Sequence, residues 1–261
     1  MKKAVGLAVL LASLTVGSRF GRFARSADVK LDAQGSDKAI KITRSAECRW
    51  TDKPPVLDGE LSDPCWKNAQ PIVHFASYWD KTQRTGTTAY LVWDKDALYY
   101  AGVMTDAELK AFGDHRNDSL WNGDVFELFF KPHPEKLAYF EFQANPKGTV
   151  FEVAFPGRDT IKGDFPKQPV LGSKAVVKLN GTLDQPGDRD TSWIVEGRIP
   201  WTAFAKAGGR PESGTVWRFA ICRYDYGPDG TEPILMSSAP LGEAKFHLHE
   251  DYGTLKFVGP R

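Results

Sequence analysis

From residue 49 onward the chain alternates short apolar-rich runs with clusters of turn residues. The runs are Thr87–Asp94, Ala97–Thr105, Asp124–Lys131, Leu137–Asn145, Thr149–Phe155, Lys174–Leu179, Ser192–Ile199, Val216–Asp225 and Thr254–Val258. Strand-length segments at this spacing predict an all-β, jelly-roll-like antiparallel β-sandwich. Lys95-Asp96 forms a tight hairpin between the first two runs. Pro200-Trp201-Thr202-Ala203-Phe204 reads as the one helical piece, with proline at its first position. The segments 156–172 and 180–191 are loops rich in Gly, Asp and Pro.

Side chains on a strand point alternately to opposite faces, so the pattern sorts residues by face. In one run Ala138, Phe140, Phe142 and Ala144 make an apolar face, and Tyr139, Glu141, Gln143 and Asn145 a polar one. In the run before it Phe126, Leu128 and Phe130 point one way, and Val125, Glu127 and Phe129 the other. Pairing of the two strands puts Glu127 beside the polar row. Near the C-terminus Arg223 and Asp225 share a face with Trp217, Phe219 and Ile221, which makes Arg223 a rim or site candidate.

The first 48 residues break the pattern. Met1-Lys2-Lys3 is a basic start and residues 4–17 are an uncharged apolar run. That run suits a signal peptide, here 1–26, and is short of the ~20 residues a membrane helix needs. Residues 27–48 read as a polar linker and 49–261 as a single sandwich domain. The expected location is secreted or periplasmic, with no membrane contact after signal cleavage. Export makes a Cys48–Cys65 disulfide a candidate, because the two flank a Pro-rich turn. Cys222 lies within an apolar run and reads as a buried thiol.

Composition narrows the function. The 261 residues carry 34 Lys+Arg against 33 Asp+Glu, which argues against a nucleic-acid partner held by phosphate neutralisation. No GxSxG, HExxH, P-loop or GxGxxG motif is present, so the chain reads as a non-enzyme. Glu127 and Glu141 are a possible acid pair, but two acids on adjacent strands need no catalytic reason. His247-Leu248-His249 places two rings on one side without an evident third ligand. Asn180-Gly181-Thr182 fits a glycosylation sequon. The most informative segment runs from Trp121 to Glu127. A tryptophan just before a strand offers a flat face to a pyranose ring, and the following acid accepts from hydroxyls.

Several stretches, in order, resemble the family 9 carbohydrate-binding modules. They are Asp58-Gly59-Glu60-Leu61 with Trp66, Leu98-Tyr99-Tyr100 with Asp106, and Trp121 to Glu127 (resembling WxxDxxExF). The series continues with Tyr139 to Pro146, Trp193 with Glu196 and Ile199-Pro200-Trp201, Trp217-Arg218 with Arg223, and Phe246-His247 followed by Tyr252 to Phe257. The resemblance spans residues 49–258. It implies a sugar-binding sandwich, with a polysaccharide or oligosaccharide as partner and calcium as a structural ion. Trp121 matches one of two clamping aromatics and Glu127 a hydroxyl-binding acid. Glu141, Asn145 and Arg223 complete the candidate carbohydrate site. Ser238 stands where the second clamping tryptophan is expected, with Trp79, Tyr224 and Tyr226 as substitutes. Asp58, Glu60, Asp63, Asp106 and Asp124 are loop-end candidates for calcium. Related sandwiches bind haem b in electron-transfer subunits through Met with Lys or His. Met104 with Lys245, His247 or His249 is that alternative, and core packing explains Met104 more simply. A protein-interaction scaffold without a glycan is the third reading.

Overall fold

The computed structural model describes residues 44–80, 86–228, 230 and 232–260. The signal segment and most of the linker expected over 27–48 lie outside these residues. The described residues form eleven strands. They are β1 (Ser45–Trp50), β2 (Thr87–Trp93), β3 (Ala97–Thr105), β4 (Val125–Lys131), β5 (Tyr139–Ala144) and β6 (Val150–Phe155), then β7 (Lys174–Asn180), β8 (Ser192–Pro200), β9 (Val216–Tyr226), β10 (Pro233–Ser237) and β11 (Gly253–Val258). One short helix, α1 (Pro64–Asn68), precedes β2, and a 3-10 helix over Trp201–Ala207 follows β8. The all-β sandwich expected from the alternation is therefore the fold.

The strands run in the order β6-β5-β4-β9-β11-β1-β2-β3-β8-β7, with β10 added on β9. The sheet folds over on itself. β4, β5, β6 and β9 supply one layer, and β2, β3, β7 and β8 the other. β1 lies between β11 and β2 and is parallel to both, while the other pairings are antiparallel. One expectation needs correction here. The linker stops short of residue 48, because Ser45–Cys48 already pair with Thr254–Phe257. β1 alternates Ala46 and Cys48 inward, a signal only two residues long.

The main core fills the space between the layers. Phe126, Leu128 and Phe130 of β4 meet Phe140 and Phe142 of β5 there, with Trp193 and Ile199 of β8 opposite. The end is closed by Trp93, Trp201, Phe204, Trp217 and Phe257, whose rings lie 4.7–6.3 Å apart and mostly edge to face. Aromatic pairs in such geometry contribute about 0.5–1.5 kcal/mol each beyond area burial. Gly197 on β8 is required by close approach. It pairs with Tyr100, and a Cβ there would stand 2.0 Å from the tyrosine ring.

Two smaller clusters cover the outer faces. On the β2–β3 face, Cys65 and Trp66 of α1 pack on Val92, Tyr99 and Ala101. On the β4–β5–β6–β9 face, Val125, Phe129, Tyr139, Phe151 and Ala220 are covered by Leu241, Phe246 and Tyr252. This division overturns the expected Cys48–Cys65 disulfide. Cys48 points into the main core and Cys65 lies in the outer cluster with α1, and all three cysteines are free and buried. Burial raises the Cys48 thiol well above its ordinary value and the Cys65 thiol to about 11.

Candidate functional site

The outer face of β4–β5–β6–β9 carries a cleft of about 780 Å³. Its floor follows from strand register. Glu127 on β4 faces Gln143 on β5 and Cys222 on β9, and Gln143 faces Phe151 on β6. One step along, Glu141 faces Phe129 and Val153. The alternation that sends Phe126 and Phe142 inward thus lays Glu127, Glu141 and Gln143 on the cleft floor.

The walls are aromatic. Trp121, in the 3-10 turn Leu120–Asn122, meets Phe151 and Phe165 edge-on at 5.6 and 5.7 Å. Tyr226 holds the turn by donating to the Trp121 carbonyl at 2.9 Å. Tyr224 and Phe246 line the cleft as an edge-to-face pair 5.3 Å apart. At a third side Tyr139 and Phe155 stack at 5.0 Å, and the Tyr139 hydroxyl lies 2.8 Å from His247 Nδ1. Arg158 closes over this end, donating to the His247 carbonyl and pairing with Glu250. Burial pushes His247 down to about 4, so the ring is neutral at ordinary pH. Its Nε2 lies 3.9 Å from Glu141, and that contact is not an ion pair at neutral pH.

The floor acids are electrostatically exposed to each other. Burial, then the neighbouring Glu141, holds Glu127 well above the usual carboxylate range. Burial also lifts Glu141 to about 8, against a hydrogen bond from Gln143 Nε2. Two carboxyls with no cation between them favour retention of a proton.

The five candidate residues divide. Trp121, Glu127 and Glu141 line the cleft together. Asn145 does not. Its amide donates to the Phe112 and Gly113 carbonyls at 2.9 and 3.1 Å, and its oxygen accepts from Lys147 N and Thr149 N. It closes the turn after β5. Arg223 faces the other way, because Cys222 and Tyr224 occupy the cleft side of β9. Its guanidinium is buried and bonds Asp106 at 2.9 Å and Asp225 at 3.3 Å. Ser238 is also away from the clamp. It is buried, and its Oγ accepts from Ile221 N at 2.9 Å. Of the substitutes, Tyr224 lines the cleft, Trp79 packs on Phe246 at 6.3 Å, and Tyr226 supports Trp121. The residues missed in sequence are Gln143, Phe151, Phe165, Arg158 and Phe246. Gln143 was legible from its place in the polar row. The others come from loops and strands whose approach no local pattern encodes.

The expected calcium acids also divide. Asp58 accepts from Glu60 N, Glu60 pairs with Lys178, and Asp63 accepts from Val56 N. Asp106 and Asp124 come together with Asp225, with one carboxylate oxygen from each within 4.8 Å of the others. Asp124 accepts from Lys110 N and Tyr226 N, both at 2.7 Å. Burial raises Asp124 to about 8, with Asp106 adding to the rise. Three carboxylates face one guanidinium, so a negative surplus remains, and oxygen-only donors suit a hard cation. The residues fit calcium in charge and donor type. Met104 lies in the main core, and Lys245 and His247 line the cleft. Among the described residues no helix is long and apolar enough to cross a membrane.

Known proteins give the fold a setting. A carbohydrate-binding module of family 9 from Caldicellulosiruptor kristjanssonii, solved with cellotriose, superposes with a TM-score of 0.57 at 19% identity, covering 84% of this chain and 95% of its own. A family 9 module from the same organism, solved with glucose, gives 0.57 at 19%, covering 84% and 97%. A putative carbohydrate-binding protein from Bacteroides uniformis gives 0.61 at 17%, covering 83% and 100%. No curated protein matches the sequence. Residues 57–260 match the family described as "Carbohydrate family 9 binding domain-like". The match takes in most of the chain, both sandwich layers and every wall of the cleft, and the protein belongs to that family.

Proposed function

We propose that this chain is an exported, non-catalytic module that holds a polysaccharide or oligosaccharide in the cleft between Trp121 and Tyr224. The observation that carries this reading is the juxtaposition of aromatic walls with an acidic floor. Sugar rings pair a C–H face with indole or phenol and aim hydroxyls at acceptors, and the cleft offers both. Trp121 supplies one stacking face and Tyr224 with Phe246 the other. Glu127 and Glu141 accept from hydroxyls. Membership in a family of binding domains supports a binding role over catalysis. The relatives solved with cellotriose and glucose support a glycan as the occupant. Export rests on the basic start and the apolar run over residues 4–17.

In the same reading Asp106, Asp124 and Asp225 hold one structural calcium. The ion supplies positive charge to a cluster that Arg223 only partly neutralises. It joins the end of β3, the entry to β4 and the end of β9.

The test is retention on a panel of immobilised polysaccharides, for the wild type and Trp121→Ala. The variant keeps its fold, because Trp121 is only partly buried and touches its neighbours edge-on. Its affinity falls by about tenfold or more, the effect expected of a truncated aromatic anchor. Unchanged retention of the variant on the same glycan would remove Trp121 from the site.

A further inference from the structure

Resting on the reading that this cleft holds a sugar, we infer that the sugar carries a protonated amine, seated on the floor formed by Glu127 and Glu141. The argument begins with hydrogen-bond capacity. Glu127 is 2% exposed and lines the cleft, and among the described residues no amide, hydroxyl or cation donates to its side chain. Glu141 is 3% exposed, and its one close donor is Gln143 Nε2. Gln143 Oε1 is buried and has no donor either. Glu127 and Gln143 Oε1 thus have no donor, and the two acids stand together with no cation between them. Two such buried acids hold their protons until a cation replaces them, and a cation carried by the ligand is that replacement.

The nearby bases do not supply that partner. Arg158 is committed to the His247 carbonyl and to Glu250. Lys245 is paired with Glu243 at the exposed rim. His247 accepts or donates only to Tyr139 at its Nδ1 and stands 3.9 Å from Glu141.

A neutral sugar hydroxyl donates and accepts, but it brings no charge to the two acids. An ammonium group only donates, in three directions, and carries the countercharge. The aromatic walls act in the same sense, since ring faces attract cations at close range. A glucosamine-type residue combines a pyranose ring for the walls with an ammonium for the floor. An N-acetylated residue loses the charge and places an acyl group against the acids.

The experiment is calorimetric titration of the protein with three trisaccharides of matched linkage: the glucosamine trimer, its N-acetylated form and cellotriose. The glucosamine trimer is expected to bind about tenfold or more tightly than cellotriose, and acetylation to erase the advantage. Glu127→Gln and Glu141→Gln each keep the shape of the floor and bring the ratio of the two affinities close to one. Should either variant fail to fold, the acetylation comparison in the wild type carries the test alone. Equal or tighter binding of cellotriose overturns the amine and leaves the sugar cleft standing. An amine preference untouched in both variants also overturns it, because the charge recognised then lies elsewhere. Binding of none of the three, with no retention on any polysaccharide, overturns the cleft reading as well.

Discussion

Glu152 and Glu127 sit in the same layer of the sandwich, on strands two apart, and both are buried. They face opposite ways and live in opposite circumstances. Glu152, pointing to the inner side of β6, accepts from Leu171 N, Gly172 N, Ser173 N and Ser173 Oγ at 2.6–3.1 Å, and pairs with Arg116 at 2.6 Å. Glu196 on β8 is similar, with Trp66 Nε1, Asp58 N and Gly59 N on its two oxygens. Glu127 has none of this. A buried acid is therefore not in itself a sign of function. Glu152 and Glu196 are staples, each drawing a loop onto a strand. The functional signal is unmet hydrogen-bonding capacity facing a cavity.

Removing the saturated acid gives the largest effect. Glu152→Ala leaves three amides, one buried and two half-buried, and a partly exposed guanidinium without their acceptor, and losing such a set costs about 3 kcal/mol or more. Urea unfolding is expected to shift by that amount, while glycan affinity of the folded fraction stays unchanged. Glu127→Ala is expected to leave stability level or raised. A cost under about 1 kcal/mol for Glu152→Ala would break the contrast.

The aspartate trio stands between these extremes, partly satisfied by Arg223 and backbone amides. Calcium bound at about a hundred times its dissociation constant would add about 2.7 kcal/mol to stability. Melting in EDTA is expected to fall well below melting in excess calcium, and Asp124→Asn to remove most of the difference. Identical melting in both buffers would exclude the ion and leave Arg223 as the sole countercharge.

Much of this was legible in the chain. Strict alternation in β4 and β5 placed Glu127 and Glu141 on one face and the phenylalanines on the other. What failed were short or unaccompanied signals. β1 shows only Ala46 and Cys48 as inward residues, and β10 pairs with β9 and, by a single bridge, with Ala76. Arg223 shares a face with Trp217 and Ile221, which by itself sends it to the core and away from a cleft lined by Tyr224. Ser238 is tied into β9 by two hydrogen bonds with Ile221, so a position matched by motif does not face the clamp. The far wall from Phe246 to Leu248 reaches the cleft across more than a hundred residues of chain from Glu141. Local pattern carries no information about such an approach.

The finest test of the contrast is pH. Burial raises Glu141 to about 8 in the folded state, against 4.5 when unfolded, and burial followed by repulsion from Glu141 raises Glu127 in the same direction. The folded protein therefore holds protons that the unfolded chain has released. The stability this confers is full below about pH 4.5, and it drains away as pH rises through about 8. The slope is at most about 1.4 kcal/mol per pH unit for each proton retained. Glu141→Gln removes one titrating group, so its stability curve between these limits is expected to be flatter, and at pH near 8 the variant melts above the wild type. Glu127→Gln acts in the same sense, and the double variant gives the flattest curve. Parallel curves for wild type and double variant would mean that the two acids ionise freely in the fold. Water or a cation would then already satisfy the cleft floor, and Glu127 would belong with Glu152 after all.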